Sequence, residues 1–82
     1  MLYMNQMPDA WADDVLTRIG QNIRKKRTEA GWSLNQMYDE TGISRQTIFY
    51  WESKQRAPRI DDLLWMCERT GWELSDILGG GK

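Results

Sequence analysis

Apolar positions recur with a helical period along most of the chain. Trp11, Val15, Ile19 and Ile23 fall four apart, one stripe of a long first helix. Pro8 stands at its first turn, and Asp9, Asp13 and Asp14 suit the positive end of its dipole. Arg24 to Arg27 supply cations towards the other end, and Gly31 is placed to cap it. Gly20 weakens this helix by roughly 1 kcal/mol without breaking it. A second segment, about 34–41, turns Leu34 and Met37 inward. It opens on Ser33 with Gln36 three residues on, a capping-box pattern. Gly42 makes the following turn, where positive φ carries no steric cost. Ser44 then caps a third helix, about 45–53. Ile48 and Trp51 form its buried side, and Arg45, Gln46, Phe49 and Tyr50 lie on the other.

Pro58 disfavours helix at Ala57, so residues 55–59 are a loop. A fourth helix starts at Ile60 or Asp61 and ends near Gly71, with Leu63, Leu64, Cys67 and also Met66 as inward candidates. Trp72 to Leu78 forms a short fifth, with Leu74, Ile77 and Leu78 on one face. No stretch alternates with a strand period. The predicted class is all-α. Residues 1–8 form an N-terminal arm, 9–78 the domain, and 79–82, three glycines and a lysine, a tail expected to fray.

Composition narrows the function. Eighty-two residues make at most one domain with a small core. One cysteine forms no internal disulfide, which fits a reducing cytoplasm. No apolar run approaches the roughly 20 residues of a membrane span, and the Met1–Met4 stretch is too short for a signal-peptide core. With no histidine and only Cys67 as a soft ligand, neither a metal nor another cofactor is expected. There is no nucleophilic triad. The pairs Asp13/Asp14 and Asp61/Asp62 suit helix dipoles better than acid–base chemistry, so an enzyme is not expected.

The net charge of −1 hides a strong polarity. Residues 16–59 hold nine Lys/Arg against four acids, whereas 1–15 hold three acids and no base, and 60–82 hold two bases against five acids. Positive charge is concentrated on the segment with helices 2 and 3, a polarity that lets one face meet phosphate. Helix, glycine-bearing turn, helix is also the layout of a DNA-binding helix-turn-helix.

With these segments placed, the run from Ile19 to Leu78 resembles the Cro/cI-type, or xenobiotic-response-element-like, helix-turn-helix family of phage repressors and bacterial regulators. The matching features are Ile19-Gly20-x-x-Ile23-Arg24, Arg27, Gly31 and Ser33, then Gly42-Ile43-Ser44-Arg45-x-Thr47-Ile48, Trp51-Glu52 and Pro58. Leu63-Leu64 and Gly71…Leu74-x-x-Ile77-Leu78 complete the set. The resemblance implies a compact five-helix, lambda-repressor-like domain whose third helix enters the major groove. It puts Arg45, Gln46 and Tyr50 at base-facing positions with Phe49 beside them, and it pairs Arg27 with Glu52 as a structural ion pair between helices 1 and 3. The residue chemistry suits these roles: arginine can be bidentate to guanine, glutamine to adenine, and an aromatic edge can touch a thymine methyl. Ser44 and Thr47 can donate to phosphate, and Lys54, Arg56 and Arg59 flank helix 3 as phosphate contacts, with Arg59 also able to probe the minor groove.

Three positions depart from the family pattern. Leu34 replaces a glutamine that many relatives use to touch phosphate and brace helix 3, so that contact is expected to be lost. Tyr38 replaces a small alanine, so it must swing outward or open the angle between helices 2 and 3. Lys54 replaces the glycine that usually ends helix 3. Lysine is uncommon at positive φ, so helix 3 is expected to run longer or end differently.

Five tryptophans are many for this length. Trp51 belongs in the core, but Trp11, Trp65 and Trp72 cannot all be buried in one small monomer. Trp65, Trp72 and Leu78 are the expected dimer interface, since two half-sites about one turn apart multiply affinity. The reading is a cytoplasmic, sequence-specific double-stranded DNA-binding transcriptional regulator of bacterial or phage origin, a homodimeric repressor on a palindromic operator. With no ligand domain in this length, control is expected through concentration, a partner or proteolysis. The alternative is a protein-interaction module, such as an antitoxin that keeps the fold and binds a toxin or other regulator; the acidic pI and aromatic excess support it.

Overall fold

The computed structural model describes residues 9–79, so the expected N-terminal arm (1–8) and the last three residues of the tail lie outside the described residues. Five α-helices follow one another: α1 Asp9–Glu29, α2 Leu34–Thr41, α3 Arg45–Glu52, α4 Ile60–Thr70 and α5 Leu74–Leu78. All regular structure among the described residues is helical. The core gathers residues from every helix: Ile19 and Ile23 of α1, Met37 of α2, Ile48 and Trp51 of α3, Leu63 and Met66 of α4, and Ile77 of α5. At a coefficient near 25 cal/mol per Å² of apolar surface, each such side chain stabilises by about 1.5–3 kcal/mol when removed from water.

Helix α1 packs against α3 and α5, while α2 packs against α3 and α4. The α1–α3 contact depends on Gly20, because a Cβ built there would collide with the carbonyl oxygen of Trp51. Sequence alone priced Gly20 only as a helix-weakening residue. Its value lies in letting two backbones approach.

Local chemistry sets the helix ends. Ser33 Oγ accepts from Gln36 N at 3.1 Å and Gln36 Oε1 accepts from Ser33 N at 3.0 Å, a complete capping box for α2. Gly42, at φ 78°, donates its N–H to Tyr38 O and turns the chain towards α3. The turn is tied underneath by Thr41, which is buried. Its hydroxyl donates to Met37 O at 2.8 Å and accepts from Ile43 N at 3.1 Å. Ser44 caps α3 by accepting from Thr47 N at 3.1 Å.

Several sequence expectations need correction. Helix α3 neither lengthens nor finds another stop. It ends at Glu52, and Lys54 itself adopts φ 69°. Lys54 N donates to Trp51 O at 3.2 Å and Gln55 N to Tyr50 O at 2.8 Å, the Schellman pattern with lysine where glycine is usual. Leu64, expected inward, is 52% exposed, and fully buried Met66 takes that place. The inward stripe of α4 runs Leu63, Met66, Cys67, which sets Leu64 about 100° round the helix beside exposed Ile60. Trp11, at the start of the α1 stripe, is exposed, and so is Leu78 of α5. Trp11 lies about two turns before Ile19, the first residue of α1 in the core cluster. Helix α5 starts at Leu74 rather than Trp72.

Candidate nucleic-acid interface

Burial splits α3 cleanly. Ile48 and Trp51 are in the core, while Arg45, Gln46 and Phe49 are exposed and Tyr50 is half-buried. Phe49 is 48% exposed on this outer face. A shallow open depression runs between the starts of α2 and α3, lined by Ser33, Leu34, Asn35, Arg45, Gln46 and Phe49.

The side chains on this face are ordered among themselves. Arg45 Nη1 donates to Asn35 Oδ1 at 2.9 Å. Gln46 Nε2 donates to the Tyr50 hydroxyl at 2.9 Å. The Arg56 guanidinium lies over the Tyr50 ring, 5.2 Å from its centroid, and the Phe49 and Tyr50 rings are 6.2 Å apart. Ser44 Oγ donates to Thr47 Oγ1 at 2.8 Å, so both hydroxyls sit together at the exposed start of α3. Lys54 and Arg56 follow α3 in the exposed loop. Arg59 stands apart as the N-cap residue of α4, its side chain 79% exposed and its Nε 3.3 Å from Asp61. That neighbour offsets part of its charge, though an exposed pair of this kind is weak.

Helix α3 is fixed from behind by Arg27. Its Nε and Nη2 donate to Glu52 Oε2 and Oε1 at 2.7 and 2.9 Å, a bidentate pair, and its Nη1 donates to Trp32 O at 2.8 Å. The two side chains are only 13% and 7% exposed. The hydrogen bond to Glu52 holds the Arg27 guanidinium above the ordinary arginine range, against the opposing effect of burial. These bonds tie Arg27 to the scaffold between α1 and α3.

Two residues of this face escaped sequence reasoning. Arg24 lines a depression with Leu34, Phe49 and Ser53, which brings a base from α1 to the flank of α3. Its i, i+3 relation to Arg27 put it near that side, but nothing in the sequence set it apart from the rest of the basic run Arg24 to Arg27. Asn35 carried no signal, because its partner lies ten residues away on another helix. The expected loss of the brace at Leu34 is half right. Leu34 packs against the core, and the α2-to-α3 link is made one residue later by Asn35. Tyr38, at the other departure, swings outward and is exposed.

Comparison with protein families decides the identity. A helix-turn-helix family model matches residues 23–77, which includes α2, α3 and the Gly42 turn. The chain belongs to the Cro/cI-type helix-turn-helix family. No curated protein and no solved structure matched it. Helix-turn-helix domains of this family are DNA-binding regulators and not typically enzymes. No helix among the described residues is long and apolar enough to cross a membrane.

The three residues expected at a dimer interface, Trp65, Trp72 and Leu78, differ in their surroundings. Trp65 is 51% exposed, yet its indole N–H donates to Thr41 O at 2.7 Å, and the Arg69 guanidinium covers its ring at 5.6 Å. Leu78 is exposed. Trp72 is partly buried and stacked on Trp32, centroids 5.6 Å apart, with Lys26 Nζ 5.9 Å from its ring centroid.

Proposed function

We infer that the protein is a sequence-specific regulator that binds double-stranded DNA as a homodimer and represses transcription by occluding a promoter within a palindromic operator. The observation that carries this reading is the exposed, ordered set Arg45, Gln46 and Phe49 on a helix whose other face is core. Arg45 reads guanine, Gln46 reads adenine, and Phe49 and Tyr50 line the groove beside thymine methyls. Ser44, Thr47, Lys54 and Arg56 contact phosphate, joined by Arg24 on one flank and Arg59 on the other. One short helix reaches few base pairs, so two copies on half-sites about one turn apart supply the affinity. Exposed Trp65 and Leu78, with the open edge of Trp72, form the contact between copies, and exposed Ile60 and Leu64 on α4 extend it. These groups act in the cytoplasm and need no cofactor.

The same apolar residues on α4 favour a second reading, a module that binds another protein such as a toxin. Titration with random duplex DNA at low and high salt separates the two. The DNA reading expects binding that falls steeply with salt, because each neutralised phosphate releases counterions. Absence of binding at low salt supports the protein-interaction reading instead.

A further inference from the structure

Two hydrogen bonds on the α3 face do not contribute to the core. Asn35 and Arg45 are both exposed and join the first turn of α2 to the first residue of α3. Gln46 and Tyr50 join successive turns of α3, and Arg56 stacks on the tyrosine from the following loop. Each bond engages one donor of a side chain that otherwise has many rotamers. Ordering such side chains in advance removes an entropy cost that binding would otherwise carry.

The chemistry of what each bond leaves over is specific. Arg45 donates through Nη1 alone, so the edge formed by Nε and Nη2 stays out of that bond. That edge carries two parallel N–H donors, the pattern that guanine O6 and N7 accept. Gln46 donates through one N–H of Nε2 and keeps its Oε1 and the second N–H. An acceptor beside a donor matches adenine N6–H and N7.

We propose that Asn35 and Tyr50 are specificity-determining positioning residues, Asn35 holding Arg45 for guanine and Tyr50 holding Gln46 for adenine. Tyr50 thus acts through its hydroxyl on Gln46, beyond any groove contact of its own. This rests on the DNA-reading role of α3 proposed above.

Site selection from a random duplex pool, with the full chain and single variants, tests it. Asn35→Ala lowers the preference for guanine at one position of each half-site by about three- to tenfold and leaves the adenine column intact. Asn35→Asp, which keeps the acceptor, restores that guanine preference even if its charge weakens total binding. Tyr50→Phe, which keeps the ring, lowers the adenine preference and leaves guanine intact. Adding Asn35→Ala to Arg45→Ala changes the guanine column no further. If Asn35→Ala weakens every sequence alike, or leaves the guanine column unmoved, the positioning role fails. The underlying reading fails separately, if Arg45→Ala leaves the guanine column intact or the wild-type motif has none.

Discussion

Gly20 of α1 lies so close to the carbonyl oxygen of Trp51 that no side chain fits between the two helices. Gly20 therefore fixes how α3 is presented, since Trp51 and the ion-paired Glu52 both sit at this contact. Alanine at position 20 gains about 1 kcal/mol of helix propensity, yet it forces backbone against backbone. Overpacking costs about 1–3 kcal/mol, and more where backbone must move, so Gly20→Ala is expected to lower the urea midpoint despite the propensity gain. An equal or higher midpoint would show that α1 and α3 do not pack this closely.

The Arg27–Glu52 pair leads to a second prediction. Breaking it by Glu52→Ala leaves a largely buried guanidinium with only the Trp32 carbonyl as partner. The loss should be roughly 3 kcal/mol. Replacing both residues together, Arg27→Met with Glu52→Leu, should recover most of it, because an apolar pair of similar volume removes two desolvated charges. Equilibrium denaturation of the three variants checks both statements.

Lys54 opposes stability to binding. Its φ of 69° strains any side chain with a Cβ, and the Schellman bonds it makes are backbone bonds that glycine would keep. Lys54→Gly is expected to raise stability by up to about 1 kcal/mol. It should also weaken binding to every duplex by a similar factor and flatten the salt dependence by about one counterion. A variant that is more stable and binds unchanged would remove Lys54 from the phosphate contacts.

The core and the turn were legible in the sequence because each rests on local spacing. Ile19 and Ile23, or Ile48 and Trp51, share a face whatever else the chain does, and Ser33 with Gln36 forms its cap within four residues. The side chains that order the α3 face were not legible, because they depend on which helices meet. The indole of Trp65 finds the Thr41 carbonyl across 24 residues, and Asn35 meets Arg45 across ten. Leu64 and Met66 were inseparable by type, since both are apolar and each continues a helical stripe from Leu63. Only the angle at which α4 packs puts Met66 inside.

Cys67 gives a pH prediction. Partial burial first, and then the charges of Asp76 and Glu73, push its thiol above the ordinary range. The folded state thus holds its proton more tightly than the unfolded chain. The associated stability is fully present below the unfolded thiol value and is lost as pH rises through the folded one. At pH 7.5 iodoacetamide should label the folded protein more slowly than the urea-unfolded chain, with the rate climbing only in more alkaline buffer. Equal rates at neutral pH would contradict this.

The central claim is that α3 enters the major groove with Arg45 against a guanine edge. Guanine N7 lies in that groove, so methylation interference reports directly on it. On a selected operator, methylating N7 of one guanine in each half-site should block binding by the wild-type protein, and Arg45→Ala should bind methylated and unmethylated duplexes alike. Binding that tolerates N7 methylation at every guanine, while phosphate ethylation still blocks it, would contradict the account.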